Sequence, residues 1–354
     1  MKFWSDTTKK LKPYIPGEQL NETEIVKLNT NENPFSPSPL VIQEIKKLVE
    51  TDLKKYPDPQ SKELKDSIAK FYTTDSFKID SKNIFVGNGS DEVLAHVFMA
   101  FFSGKKLYFP NITYSFYPVY CGLYGIDYNP VPLNEKFEIE KNNYENLDGN
   151  IIFPNPNAPT GIDMPLDIIE EILIKNPDNL VVVDEAYIDF GGQSALGLIN
   201  KYKNLLIVQT FSKSRSLAGM RIGFAMGDSN LIEGLTRVKD SFNSYPLDKV
   251  AQIAGKASME DKKYFEYTSN KIIENREWTI SQLKVRKIKT LPSMANFIFV
   301  KIDGAESIYK KLKERKILVR YFNQPLINNF LRISIGTKKE MEILIKNIDE
   351  IMGE

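Results

Sequence analysis

Apolar runs of strand length alternate with segments of helical spacing along most of this chain. KNIFVGNGSDEVLAHVFMAFF, residues 82–102, reads as a short strand, a glycine-rich turn and a helix opened by Ser90 and Asp91. KKLYFP (105–110), GNIIFPNP (149–156), LVVVDEAY (180–187), NLLIVQTF (204–211) and RIGFAMG (221–227) are further strands. They are apolar on both faces, and helical segments separate most of them, so they predict a buried, mostly parallel sheet. Helical spacing also predicts helices over 38–50 and 60–73, and a long polar helical region over 248–286. The tail then reads as strand NFIFVKI, helix AESIYKKLKERK, strand ILVRYF, strand LRISIGT and helix KEMEILIKNIDEIM. The expected class is therefore α/β: an extended arm over 1–35 with prolines at 13, 16 and 34, a large mostly parallel sheet domain flanked by helices over 36–270, and a smaller α+β domain over 271–354.

Composition narrows the function. At 354 residues the chain is long for a single core, which favours a large domain with a smaller one. With 47 basic and 46 acidic side chains the formal net charge is +1, so no nucleic acid and no membrane surface is expected as partner, and a small molecule is. Cys121 is the only cysteine and cannot form an internal disulfide, and MKFWSDTTKK lacks a secretory apolar stretch. Both features predict the cytoplasm. The longest apolar stretch, VLAHVFMAFF at 93–102, is about half of the roughly 20 residues that span a bilayer. It contains His96, the only histidine, so a metal site built on several histidines is excluded and no metal is expected. Proton transfer then falls to another side chain, and lysine is the first candidate.

In open α/β sheets ligands bind beyond the carboxyl ends of the strands. Gly87 to Asp91 follow one such end and either present backbone N–H groups to an anion or form a tight turn with a Ser/Asp cap. Asp184 continues the VVV strand, where a carboxylate is partly desolvated, and an ordinary buried ion pair would explain it as well. Lys213 ends the next strand as a candidate amine nucleophile of lowered pKa, or as a lysine snorkelling to solvent. Together, a strand-end Asp, a strand-end Lys one strand later and Arg221 shortly after form the set that holds a pyridinium ring, binds its aldehyde and clamps its phosphate.

KLKPYIPGE, LNTNENP, KYPDP, VGNGSDE, NITYSFYPVY, NPNAPTG, VVDEAYIDF, TFSKSRSLAGMRIGF and LRISIGT follow one another along nearly the whole chain. In this order they resemble the fold-type I pyridoxal-phosphate aminotransferases and, within class II, the histidinol-phosphate aminotransferase subfamily. The resemblance implies pyridoxal 5′-phosphate as cofactor and Lys213 as the residue that bonds to its aldehyde and shuttles the proton. Asp184 would pair with the ring nitrogen, Tyr187 would bind the 3′-oxygen and Tyr114 would stack on the ring. Ser212, Arg221 and the Gly89–Ser90–Asp91 turn would take the phosphate, and Tyr56 would reach the phosphate in the neighbouring subunit. That last role implies a homodimer with shared active sites. Arg332 would grip the substrate α-carboxylate, Arg320 and Tyr14 would add phosphate contacts, and Asn33 lies in the stretch that closes over the substrate.

One position departs from the family. Ala158 stands where many relatives carry the asparagine that binds the 3′-oxygen, and Asn157 is the expected substitute. Gly219 is expected to let the backbone turn around the ligand, and Arg215 either supports the phosphate from behind or pairs with an acidic neighbour. The expected reaction exchanges an amino group between glutamate or 2-oxoglutarate and a phosphorylated amino alcohol in histidine biosynthesis. An aromatic amino-acid aminotransferase and an amino-acid-phosphate decarboxylase of the same fold stay open, as does a non-catalytic phosphate-binding module.

Overall fold

A computed structural model describes residues 2–14, 25–48 and 53–353. In it, the first strand among the described residues is β1 (Val26–Lys27). The apolar runs become β2 (Ile84–Asn88), β3 (Leu107–Pro110), β4 (Tyr128–Val131), β5 (Asn150–Pro154), β6 (Val181–Asp184), β7 (Leu205–Thr210) and β8 (Ile222–Gly227). These seven pair in the order β2-β8-β7-β6-β5-β3-β4, and only β8 runs against its neighbours. Every residue of β5, β6, β7 and β8 is buried, as expected of strands covered on both faces. The strand β4 escapes pattern reading because Tyr128 is exposed and Pro130 interrupts it. It lies at the sheet edge, where a missing N–H is tolerated.

The helical region over 248–286 is two helices, Lys249–Glu260 and Lys262–Val285. Asp261 leaves the helical conformation between them, and its carboxylate accepts the Tyr264 N–H to cap the second helix. Position 270 lies inside that second helix. We propose the domains as 36–270 and 271–354, with this helix running through the division.

The smaller unit contains β9 (Lys289–Thr290), β10 (Phe297–Lys301), β11 (Ile317–Leu318), β12 (Arg320–Tyr321) and β13 (Phe330–Ser334). ILVRYF, read as one strand, is two: β11 pairs in parallel with β1, whereas β12 pairs antiparallel with β13. The arm is accordingly more than an extended segment. It carries a short helix, Asp6–Lys10, and its Leu28 is buried in the smaller unit's core. Ile15 to Glu18 of KLKPYIPGE and the last two positions of the helix expected over 38–50 lie outside the described residues. Among the described residues no helix is long and apolar enough to cross a membrane.

Candidate active site

A cavity of about 270 Å³ opens where β6 and β7 end, against the start of the helix Gly89–Val97 and beneath β12, β13 and the arm. It brings together most of the residues singled out in the sequence. Lys213, Asp184, Tyr187, Tyr114, Ser212, Arg221, Ser90, Asp91, Arg320, Arg332 and Tyr14 all line it.

Asp184, the last residue of β6, is almost fully buried. Its Oδ2 accepts a hydrogen bond from the Tyr117 hydroxyl at 2.9 Å, and its Oδ1 accepts the Ala186 N–H at 3.3 Å. Burial pushes its pKa up to about 6 against these two donors. The ion pair that would give it an ordinary structural role is absent among the described residues. Tyr117 is a residue that sequence reading missed, although it lies in the NITYSFYPVY motif three positions after Tyr114.

Lys213 follows β7, and its Nζ donates to the Thr30 carbonyl at 3.1 Å and lies 5.8 Å from the centre of the Tyr187 ring. Burial, reinforced by Arg332, pushes its pKa down to about 8. The snorkelling alternative fails on this placement.

Arg221 forms a cationic corner of the cavity. Its guanidinium donates to Ser212 Oγ at 3.3 Å and to the Asp91 carboxylate at 3.2 Å. A side chain on Gly89, whose φ is +81°, would begin 2.5 Å from the Arg221 Nη2, so glycine is what admits the arginine to the helix N-terminus. Asp91 contributes more than the backbone N–H expected of it, since its carboxylate also accepts the Tyr114 hydroxyl at 2.8 Å.

Arg332 and Arg320 sit directly opposite one another in the β12–β13 register. Arg332 Nη2 donates to the Asn29 carbonyl at 3.0 Å, while its buried Nε has no partner among the described residues. Neither arginine has a carboxylate within ion-pairing distance among the described residues. Burial lowers the Arg332 pKa, and Arg320 adds to the effect. Tyr14 reaches the same corner and packs on Phe116, with ring centres 4.7 Å apart.

Three expectations need correction. Asn33 does not line the cavity, because its amide is committed to the Lys213 and Ser214 carbonyls; Asn29, Thr30 and Asn31 line it instead. Asn157 also faces away, its amide donating to the Ile112 carbonyl and to Thr160, and Ala158 forms the wall there. Gly219 is exposed with open space around it, and the left-handed residues of that loop are Ser216 and Arg221. Tyr56, expected to serve the neighbouring subunit, is 82% exposed and stacked on Tyr245, outside this chain's own cavity. Arg215, by contrast, acquires a role: its guanidinium lies between Phe71 and Phe265, 4.4 and 3.9 Å from their centres, and donates to the Ser258 carbonyl. His96 is buried against Phe85 and Phe242 and plays no part in the cavity.

The donor set fits pyridoxal phosphate. A buried carboxylate without a cation among the described residues, an amine of lowered pKa in the same cavity, and an arginine with serine and helix-terminal N–H groups match a ring nitrogen, an aldehyde and a phosphate respectively.

Comparison with known proteins agrees. Residues 23–348 match the family described as aminotransferase class I and II. A histidinol-phosphate aminotransferase from Pseudomonas syringae is 52% identical over 99% of both chains, and one from Clostridium acetobutylicum is 53% identical over 99% of both. The solved structure of histidinol-phosphate aminotransferase from Sinorhizobium meliloti, in complex with pyridoxal-5′-phosphate, shares the fold with a TM-score of 0.87, covering 99% of this chain and 98% of that one at 23% identity. By the family match over most of its length and its identity to these relatives, the chain belongs to the class I and II aminotransferases.

Proposed function

We propose that the chain exchanges an amino group between histidinol phosphate and 2-oxoglutarate, giving imidazole-acetol phosphate and glutamate, with pyridoxal phosphate as cofactor. The observation that carries this reading is the cross-strand pair Arg320 and Arg332, facing Lys213 across one cavity with no carboxylate partner among the described residues. Like charges directly opposite on a strand pair repel, so this corner is completed by an anion. A carboxylate suits the arginine fork, and so does a phosphate ester. One pocket can thus accept glutamate and histidinol phosphate in turn, Arg332 gripping the carboxylate of the first and Arg332, Arg320 and Tyr14 the phosphate of the second.

When bound, pyridoxal phosphate supplies a cationic ring that draws electrons from the substrate carbon. Asp184 would hold the proton on the ring nitrogen, its burial strengthening the attraction to that cation. Ser212, Arg221 and the N–H groups of Gly89 and Ser90 would hold the phosphate, and Tyr114 would cover the ring. Lys213, with its pKa near 8, is neutral in a usable fraction at pH 7 to 8, so its Nζ can take the proton from the substrate carbon and return it elsewhere.

We also propose a homodimer in which Tyr56, exposed and stacked on Tyr245, reaches the partner's phosphate site. The buried, unpaired Cys121 suits the reducing cytoplasm. The test follows the cofactor's absorbance in single half-reactions. Histidinol phosphate and glutamate are expected to convert it quickly; faster conversion by phenylalanine or threonine phosphate sinks the substrate reading. A protein that binds no pyridoxal phosphate at Lys213, judged by borohydride fixation, sinks the whole of it.

A further inference from the structure

Asn31 is buried to within 1% of its surface, and its backbone is left-handed, with φ 57°. Asparagine tolerates that region better than most non-glycine residues, and here each of its polar groups is used. The Asn31 N–H donates to Ser334 Oγ at 2.8 Å, and its carbonyl accepts from the Asn296 amide at 2.9 Å. Its side chain does something more specific. Ser334 Oγ donates to Asn31 Oδ1 at 2.8 Å, and Asn31 Nδ2 donates to the Tyr187 hydroxyl at 3.1 Å.

The direction of these bonds follows from hydrogen counting. A serine hydroxyl has one hydrogen, and the acceptor that Ser334 Oγ reaches with it is Asn31 Oδ1, while the same oxygen accepts the Asn31 backbone N–H. The amide is thereby oriented with its NH₂ toward Tyr187; turned the other way, it would leave the serine hydrogen without this acceptor. A phenol oxygen that accepts from Asn31 keeps its own hydrogen for a different partner. Tyr187 lines the cavity, so that hydrogen is free to be given to a group bound there. The ring itself is steadied edge-on by Phe297, with centres 5.0 Å apart.

We propose that Asn31, locked by Ser334, is a positioning residue that sets the polarity of the Tyr187 hydroxyl, so that the phenol offers a hydrogen to an oxygen on the ligand's ring. This rests on the cofactor reading above. With Ala158 at the cavity wall and Asn157 turned away, Tyr187 is the side chain left to make that contact, and its polarity matters more here than where an asparagine shares it. A donor stabilises the oxygen in its anionic form, and hence lowers the pH at which the enzyme-bound cofactor changes its absorption band.

The experiment compares that spectral midpoint in the pyridoxal-phosphate-loaded wild type, N31D, S334A and S334T. In N31D an isosteric carboxylate accepts the Tyr187 hydrogen and turns the phenol's lone pair to the cavity. The midpoint is expected to rise by about one to two pH units, the scale of a lost hydrogen bond to a charged group. S334A frees the amide to turn without adding charge, and a rise of about half a unit is expected. S334T keeps the hydroxyl and the wild-type midpoint. Unshifted midpoints in N31D and S334A overturn the proposal, as does a rise confined to N31D, which assigns the effect to charge alone. Melting of the cofactor-free variants is measured alongside, and a loss of stability with no spectral shift also overturns it by making Asn31 purely structural. A wild type with no cofactor band at all is a different failure, that of the cofactor reading.

Discussion

The two ends of the cavity handle charge in opposite ways. At the large-sheet end each charge already has a protein partner: Asp184 has the Tyr117 hydroxyl, Arg221 has Asp91 and Ser212, and Lys213 has the Thr30 carbonyl. At the other end Arg320 and Arg332 face each other across β12 and β13 with no anion from the described residues between them. The first arrangement is preorganised, its groups held by protein partners before a ligand arrives. The second is incomplete by design, and an incoming carboxylate or phosphate completes it. Such a division suits a reaction in which one cofactor is retained while two different anionic substrates take turns.

The contrast breaks most sharply at Lys213. Lys213→Ala removes the only amine among the residues lining the cavity. Turnover should fall by about 10⁴-fold or more, since both covalent attachment and proton transfer are lost. Cofactor retention through Arg221 and Ser212 should persist, measurable by dialysis and absorbance. Near-normal turnover would mean that the large-sheet end is a binding site alone.

Asp184→Asn tests the same end differently. Turnover should drop by about 10² to 10³-fold, the scale of removing one preorganised electrostatic partner. The cofactor-free protein gives a second reading. Burial raises the Asp184 pKa from 3.8 to about 6, so the folded state binds the proton more tightly than the unfolded state does. Wild-type stability from this group is therefore greatest below pH 3.8 and is lost as pH rises through 6. The wild type should gain on Asp184→Asn as pH falls from 6 to 3.8, by on the order of 2 to 3 kcal/mol, whatever constant offset the amide introduces. A stability difference that does not vary across that window would show Asp184 to be solvated or already paired.

Arg332→Ala probes the unsatisfied end. The kcat/KM for glutamate should fall by about 10²-fold, from loss of a charge-assisted fork, and the rate of cofactor binding should be unchanged. Relief of the repulsion from Arg320 should at the same time leave the cofactor-free protein no less stable. If instead the variant unfolds early and keeps its glutamate kinetics, the two ends are alike and both arginines are structural.

What was legible in the sequence divides along a related line. Asp184, Lys213 and Arg221 could be found because a charge at the end of a VVV or LLIVQT run contradicts the local pattern and requires a reason. The seven-stranded sheet was legible for the same reason, apart from β4, whose exposed tyrosine and proline conceal an edge strand. Tyr117 and Asn31 were not legible in that way. A tyrosine among aromatic residues and an asparagine in a polar loop violate no pattern, and their roles arise only when Asp184 and Tyr187 arrive beside them from 67 and 156 positions away. The break of ILVRYF at Val319 was hidden too, because which neighbour a strand takes is decided by the arm returning to pair with β11. Asn33 misled because its loop does line the cavity, while its own amide is spent on the backbone around Lys213.

The smallest expected effect separates the two anions that share the unsatisfied end. Tyr14 lines the cavity with Arg320 and Arg332, and its ring is held by Phe116, so Tyr14→Phe removes the hydroxyl and leaves the packing. If that hydroxyl donates to the substrate phosphate, kcat/KM for histidinol phosphate should fall by about 3- to 10-fold, the worth of one hydrogen bond to a charged group at the lower end of its range. The glutamate half-reaction should hardly change, because its carboxylate is held by the Arg332 fork. An equal loss for both substrates would place the hydroxyl on a group common to the two, and the unsatisfied end would then recognise both anions through a single set of contacts.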